Sequence, residues 1–198
     1  MKRAAVLALA LAGIGLTAGS AAVFGLRTPG ASAPKATIEP VWNEAKWPFL
    51  LDQWGIGKAF ICEAADCGVK VEVTIRPKIG FCNCSAGVYD DNELERVADT
   101  DLKSRKFQPL GPSRPIKVGW MYGRSRPYVA IDEETGAVGE RLISVAFNDE
   151  CDAVVALAAL GSGDPDAVEP AVISFLQTRP LVLWVKKELG LEYVYREF

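Results

Sequence analysis

The sequence predicts an α+β fold: a mostly antiparallel sheet of hairpins or a meander, one central helix and two C-terminal helices, preceded by an N-terminal signal or anchor helix. Three stretches carry that expectation. "VKVEVTI" puts Val69, Val71, Val73 and Ile75 on one strand face and Lys70, Glu72 and Thr74 on the other. This period of two fits a sheet wet on one side, hence antiparallel. After Asp164, apolar residues recur at helical spacing. Residues 4–26 carry no charge at all.

That uncharged run follows Lys2 and Arg3 and leads into small residues. It reads as a secretory signal peptide, with Gly19-Ser20-Ala21 and Ala31-Ser32-Ala33 as candidate cleavage sites, the second disfavoured by Pro34. It also reads as a single uncleaved membrane anchor, since its 23 residues are enough to cross about 30 Å of hydrocarbon. No cysteine follows it to take a lipid. With Lys2 and Arg3 kept cytoplasmic, both readings export the body of the chain. The product is then periplasmic, or anchored to the cytoplasmic membrane facing the periplasm. Residues 27–46, rich in Pro, Ala, Thr and charge, read as a flexible tether. Residues 47–198 read as a single exported α+β domain.

Within that domain, Trp47, Phe49, Leu50, Leu51 and Trp54 form a short apolar block, and Ala59–Cys62 reads as a strand. Val69–Ile75 is the strongest strand, ended or placed at an edge by Pro77. "DDNELERVADTDLKSR" reads as the central helix, with Asp90 as N-cap, Glu93 three residues on, and Leu94, Val97, Ala98 and Leu102 as its apolar stripe. "IKVGWMY" and "YVAI" read as two strands turned by "GRSRP", and "RLISVAF" with "CDAVVALA" as a hairpin across "NDE". Asp164 and Pro165 open a helix carrying Val168, Val172, Phe175 and Leu176. A second helix runs from about Pro180 to Leu189, with Lys186 and Lys187 near its end and Gly190 closing it. "LEYVYREF" reads as a final strand.

Composition narrows the chemistry. The chain of 198 residues has no histidine. That excludes His-dependent nucleophile systems, His-ligated zinc and axial His on haem, and it lowers the expectation of an enzyme. A histidine-free, carboxylate-based hydrolase survives as an option. The formal charge is −3, and the three cations of the first 33 residues make the remainder more acidic still. An acidic domain is a poor fit to nucleic acid, whose binding rests on neutralised phosphates.

Five cysteines, Cys62, Cys67, Cys82, Cys84 and Cys151, in an exported chain are disulfide candidates first. Cys62 and Cys67 flank "EAAD" at a spacing that suits a staple between neighbouring strands. Cys82 and Cys84 point the same way if extended, so one of the two is expected to pair with Cys151, leaving the other free and buried or used between chains. The alternative is functional: Cys82 and Cys84 as a thiol-redox pair, or as a metal site for Cu(I), which favours thiolate sulfur.

One further stretch suggests binding. "GWMYGRSRPYV" interleaves Trp120, Tyr122 and Tyr128 with Arg124 and Arg126. At a hairpin tip these would grip a carboxylate, phosphate or glycan; as an ordinary hairpin they would be core aromatics and solvated cations. "DDNE", "NDECD" and "GSGDPD" read as a helix cap, a turn and a linker. The sequence thus points to a non-catalytic, exported, disulfide-stabilised domain that takes no cofactor. It would bind a protein or envelope component at the outer face of the cytoplasmic membrane, with membrane association through residues 4–26. The rival is the Cys-x-Cys periplasmic protein using Cu(I) or thiol exchange.

Overall fold

The computed structural model describes residues 40–191. The leader at 1–26, the tether as far as residue 39 and the expected last strand from residue 192 lie outside the described residues. Eight strands form one sheet: β1 Asn43–Ala45, β2 Lys58–Cys62, β3 Val71–Lys78, β4 Phe107–Pro109, β5 Arg114–Val118, β6 Met121–Ile131, β7 Val138–Asp149 and β8 Asp152–Ala159. Their order is β1-β2-β3-β8-β7-β6-β4, with β5 also paired to β6, and every pairing is antiparallel. Four helices accompany it: α1 Ala64–Cys67, α2 Asp91–Val97, α3 Pro165–Leu176 and α4 Arg179–Glu188. The fold is mixed α+β, as expected. None of these helices is long and apolar enough to cross a membrane.

Period-two alternation fixes what each sheet face buries. Val71, Val73 and Ile75 of β3, Ile143, Val145 and Phe147 of β7, and Val154, Ala156 and Ala158 of β8 share one face. On it lie Val168, Val172, Phe175 and Leu176 from α3 and Leu181 and Val185 from α4. Asp164 caps α3 by accepting from Asp166 N, and Pro165 occupies its first turn. Gly190, at φ +71°, ends α4 in the left-handed conformation.

The opposite face is not wet, which corrects the one-sided expectation. Leu94 and Val97 of α2 pack with Val88, Ala146 and Val155, and Tyr128, Leu142 and Leu157 form a neighbouring cluster. The alternate residues of β3 on this side, Thr74, Arg76 and Lys78, are buried as well. Polar residues in a period-two pattern mark a sheet face, not its exposure, because charge can be covered when it is paired.

Several local readings change. "GRSRP" does not turn the chain: it lies inside β6, and the reversal comes earlier, between Val118 and Met121. The "NDE" hairpin forms between β7 and β8, with Asp149 opposite Asp152 and Glu150 at φ +47° in the two-residue turn. α2 stops at Val97, short of the long helix expected: Ala98 turns extended and a 3-10 turn follows at Thr100–Leu102, while Lys78 Nζ donates to Val97 O at 2.7 Å and Ala98 O at 3.3 Å. A strand lysine thus satisfies the helix's last carbonyls. "EAAD" supplies the short α1. Pro77 lies within β3, but β2 has already ended opposite Ile75, so β3 is locally an edge there and needs no N–H on that side. The folded body also starts before Trp47: β1 falls in the stretch read as tether and pairs with β2 from Asn43↔Ile61 to Ala45↔Ala59.

Candidate functional site

The cysteines sort into two bridges and one thiol. Cys62 and Cys67 are bonded with Cα atoms 6.0 Å apart, tying the end of β2 to α1. Cys84 pairs with Cys151, 67 residues away, at a Cα separation of 4.1 Å, tying the loop ahead of α2 to the β7–β8 turn. Cys82 is free and buried. Its backbone N–H donates to Cys151 O at 3.0 Å and its Sγ–H to Glu150 O at 3.1 Å. Burial, then the nearby Glu93 and Asp152 carboxylates, push this thiol up to about 11. Cys82 and Cys84 therefore do not form a pair of accessible thiolates: one is bonded elsewhere and the other is held protonated. Among the described residues no group of three or more Cys, Asp or Glu side chains is placed to hold a metal.

The aromatic and basic residues of β6 are brought together, but along a strand rather than at a tip. Tyr122, Arg124, Arg126 and Tyr128 alternate onto the α2 side of the sheet, and Trp120 sits in the β5–β6 turn with its Nε1–H on Asp149 Oδ1 at 3.1 Å. Arg124 spends its guanidinium on Ser113 Oγ, Ser113 O and Tyr89 O. Arg126 donates to Gly111 O at 2.7 Å and Glu95 Oε1 at 2.7 Å. Tyr128 is fully buried, its hydroxyl 3.3 Å from Glu95 Oε1; burial, then that carboxylate, raise its pKa. The forks that would hold a ligand are closed on the protein itself. Tyr122 alone of the four is largely exposed, with Lys117 Nζ 5.2 Å from its ring.

A different set of aromatics does line an open groove. Trp42, Phe60, Phe175, Leu181 and Trp184, with Pro180 and Thr178, wall a space of about 430 Å³ between the β1–β2 hairpin and the α3–α4 corner. Trp42 stacks on Phe175 with ring centroids 4.4 Å apart, and Phe60 meets the same ring edge-on at 4.8 Å. At the rim, Lys58 Nζ donates to Glu44 Oε1 at 2.5 Å. The interior is apolar and its one ion pair is self-satisfied, so the groove suits an uncharged aliphatic or aromatic group. Sequence reasoning missed it for a definite reason. Its walls come from separate elements, Trp42 falls in the stretch read as tether, and Phe175 fits an ordinary core position on its helix.

Across the sheet lies a charged interior. Arg76 forks onto Asp99 through Nε and Nη2 at 2.7 and 2.8 Å, and its Nη1 reaches Asp52 Oδ1 at 2.7 Å and Gly55 O at 3.2 Å. Lys78 Nζ stands 2.8 Å from Asp99 Oδ1. Burial alone would depress the Arg76 guanidinium, but hydrogen bonds and charge from Asp99 and Asp52 hold it above its ordinary value. Burial likewise opposes ionisation of Asp52, and its bonds from Arg76 and the Trp54 N–H outweigh it, keeping that carboxyl below the usual range. These groups saturate one another, which is structural work rather than ligand capture.

No family model matches the chain, and no curated protein matches it. A crystal structure of LpqN, described as involved in cell envelope biogenesis of Mycobacterium tuberculosis, aligns at 12% identity and a TM-score of 0.33, over 67% of this chain and 78% of that one. No function is carried over from that likeness.

Proposed function

We propose that this chain is an exported, non-catalytic binding domain that holds the aliphatic part of an envelope amphiphile at the outer face of the cytoplasmic membrane. The observation that carries the reading is the aromatic groove of Trp42, Phe60, Phe175, Leu181 and Trp184. Its apolar walls offer dispersion contacts and exclude water, and they offer few hydrogen-bonding partners to a polar ligand. The occupant's source follows from where the groove lies in the chain. Trp42 follows the uncharged run 4–26 by 16 residues. A chain tethered by that run keeps the groove beside a membrane rich in acyl chains. Two disulfides support an oxidising compartment.

The test is titration of the full chain with cis-parinaric acid, reading energy transfer from tryptophan. The expected result is saturable one-to-one binding, weakened about tenfold or more by Trp184→Ala and by Leu181→Ala, each of which removes an apolar contact of the size of one buried side chain. Tyr122→Ala, on the far sheet face, leaves it unchanged. Non-saturable uptake, or equal affinity in all three variants, would overturn the reading.

A further inference from the structure

The β1–β2 connection, residues 46–57, carries the two most exposed aliphatic side chains among the described residues, Leu50 and Leu51, with the largely exposed Ile56 beside them. Leu50 is 91% exposed, Leu51 75% and Ile56 65%. Solvent-exposed aliphatics this close together call for a partner, since scattered ones are ordinary but clusters mark interaction sites. The loop is also held in shape. Arg76, from the floor of the sheet, holds the turn just after the tip through Asp52 Oδ1 and Gly55 O and lies 5.7 Å from the Trp47 ring on the other limb. Trp54 packs on Phe81 at a centroid distance of 4.4 Å. Gly57 passes so near β3 that a Cβ there would stand 2.0 Å from Ile75 O and 2.6 Å from Arg76 Cβ. Asp52, Trp54, Gly55 and Gly57 are thus held in place, and two consecutive leucines project.

We propose that this loop is a membrane-docking finger: Leu50, Leu51 and Ile56 enter the hydrocarbon edge of a lipid bilayer while Trp47, Trp54, Lys46 and Lys58 stay at the headgroup level. Four observations favour a bilayer over a protein groove. The tip is aliphatic and offers no recognition pattern of hydrogen-bonding groups. The flanks pair aromatic rings with cations, the composition that settles at a membrane interface. The one acid of the tip, Asp52, is drawn inward onto Arg76, which keeps its charge from opposing insertion. Finally, the described chain starts at Pro40, ten residues ahead of Leu50. The 13 residues 27–39 extend at most about 45 Å, so a bilayer holding the run 4–26 lies within reach of the finger. The inference rests on that run being held in a membrane. It does not depend on the groove or its ligand.

The experiment reads depth at single sites in the full chain reconstituted into vesicles of phosphatidylcholine and phosphatidylglycerol at seven to three. A bimane fluorophore is placed on Leu51→Cys and, as a control, on Glu134→Cys in the exposed β6–β7 turn; Cys82 is buried and does not compete. Quenching by nitroxide on the lipid acyl chain is expected to be several-fold stronger at position 51 than at 134, with a blue-shifted emission. Adding Leu50→Asp, at an exposed position where the fold is not at stake, should return position 51 to the control level. A probe at 51 that stays open to aqueous iodide with vesicles present overturns the proposal. So does protection from iodide without lipid that rises with protein concentration, which would assign the finger to a second copy. If the finger fails while parinaric acid still binds in the groove, the proposed function stands without it.

Discussion

Asp52 and Arg76 lie 24 residues apart in the chain and 2.7 Å apart in space, with the buried Arg76 guanidinium of β3 donating to a carboxylate on a surface loop. The same guanidinium forks onto Asp99 just beyond α2. One side chain, 2% exposed, therefore joins the β1–β2 loop, the sheet and the segment after the helix. That linkage explains why a strand face lined by Thr74, Arg76 and Lys78 is buried at all: its charges are spent on positioning what covers them.

Removing Asp99 should be the most damaging single change in this network. It would leave Arg76 and Lys78 buried without their shared carboxylate, and stranding buried charge costs about 3–5 kcal/mol. Asp52→Ala should cost no more than about 1 kcal/mol, because that carboxylate is partly in water, where an ion pair is worth little. Urea unfolding of the two variants separates them. Equal losses would mean that the Asp99 fork contributes no more than an exposed pair.

Acid should loosen the same side of the molecule. Asp91 is held below the ordinary carboxylate range mainly by the Ser113 hydroxyl, Glu93 mainly by Arg96, and Asp52 by Arg76 against its own burial. Each folded-state value lies below the unfolded one, so the unfolded chain binds the extra protons. Their stabilisation is complete above the unfolded carboxylate values of about 4 and disappears as pH falls through the depressed ones. The urea midpoint should hold level from pH 7 to about 5 and decline below about 4. A midpoint unchanged down to pH 3 would contradict these pairings.

The bridges differ in worth, and the lone thiol has its own pH signature. In the chain-entropy account, closing the loop between Cys84 and Cys151 is worth about 4 kcal/mol and the short Cys62–Cys67 loop about 2. Cys151→Ser should therefore destabilise more than Cys67→Ser. Cys82 should resist iodoacetamide in the native state. Its thiol is raised to about 11, so the stabilisation it contributes is present below the ordinary thiol value and lost as pH rises through that raised one. One alkylated site in native protein at pH 8 would show the thiol to be open.

Much of this was legible from residue patterns, and the failures have a common cause. The β3 alternation, the Asp90 and Asp164 caps, the β7–β8 hairpin and the Cys62–Cys67 staple all depend on neighbours within a few residues, and the structure has each of them. The β5–β6 turn was misplaced because Gly123 and Pro127 read as breakers, whereas β6 accommodates both within an 11-residue strand. Burial of Arg76 and Lys78 was invisible, since their partners Asp52 and Asp99 come from elsewhere in the chain. The apolar block at 47–54 gave no sign of which way it faces, and its leucines point outward because the loop's base, not its tip, touches the sheet. The groove was hidden for the same reason: no local pattern places Trp42 on Phe175.

That last contact yields the sharpest check on where the folded domain begins. Trp42 stacks on Phe175 at 4.4 Å, while Phe175 is itself buried against Phe60 and the sheet. Phe175→Ala should cost about 3–5 kcal/mol, the usual price of emptying an aromatic core site. Trp42→Ala should cost less, because its ring is only half-buried. If β1 is a working strand, the double variant will fall short of the sum of the singles by about 0.5–1.5 kcal/mol, the coupling expected of an aromatic pair. Additivity within about 0.3 kcal/mol would return residues 41–46 to the tether and detach the groove's outer wall. Coupling of the expected size would make Trp42 part of both the core and the proposed binding surface.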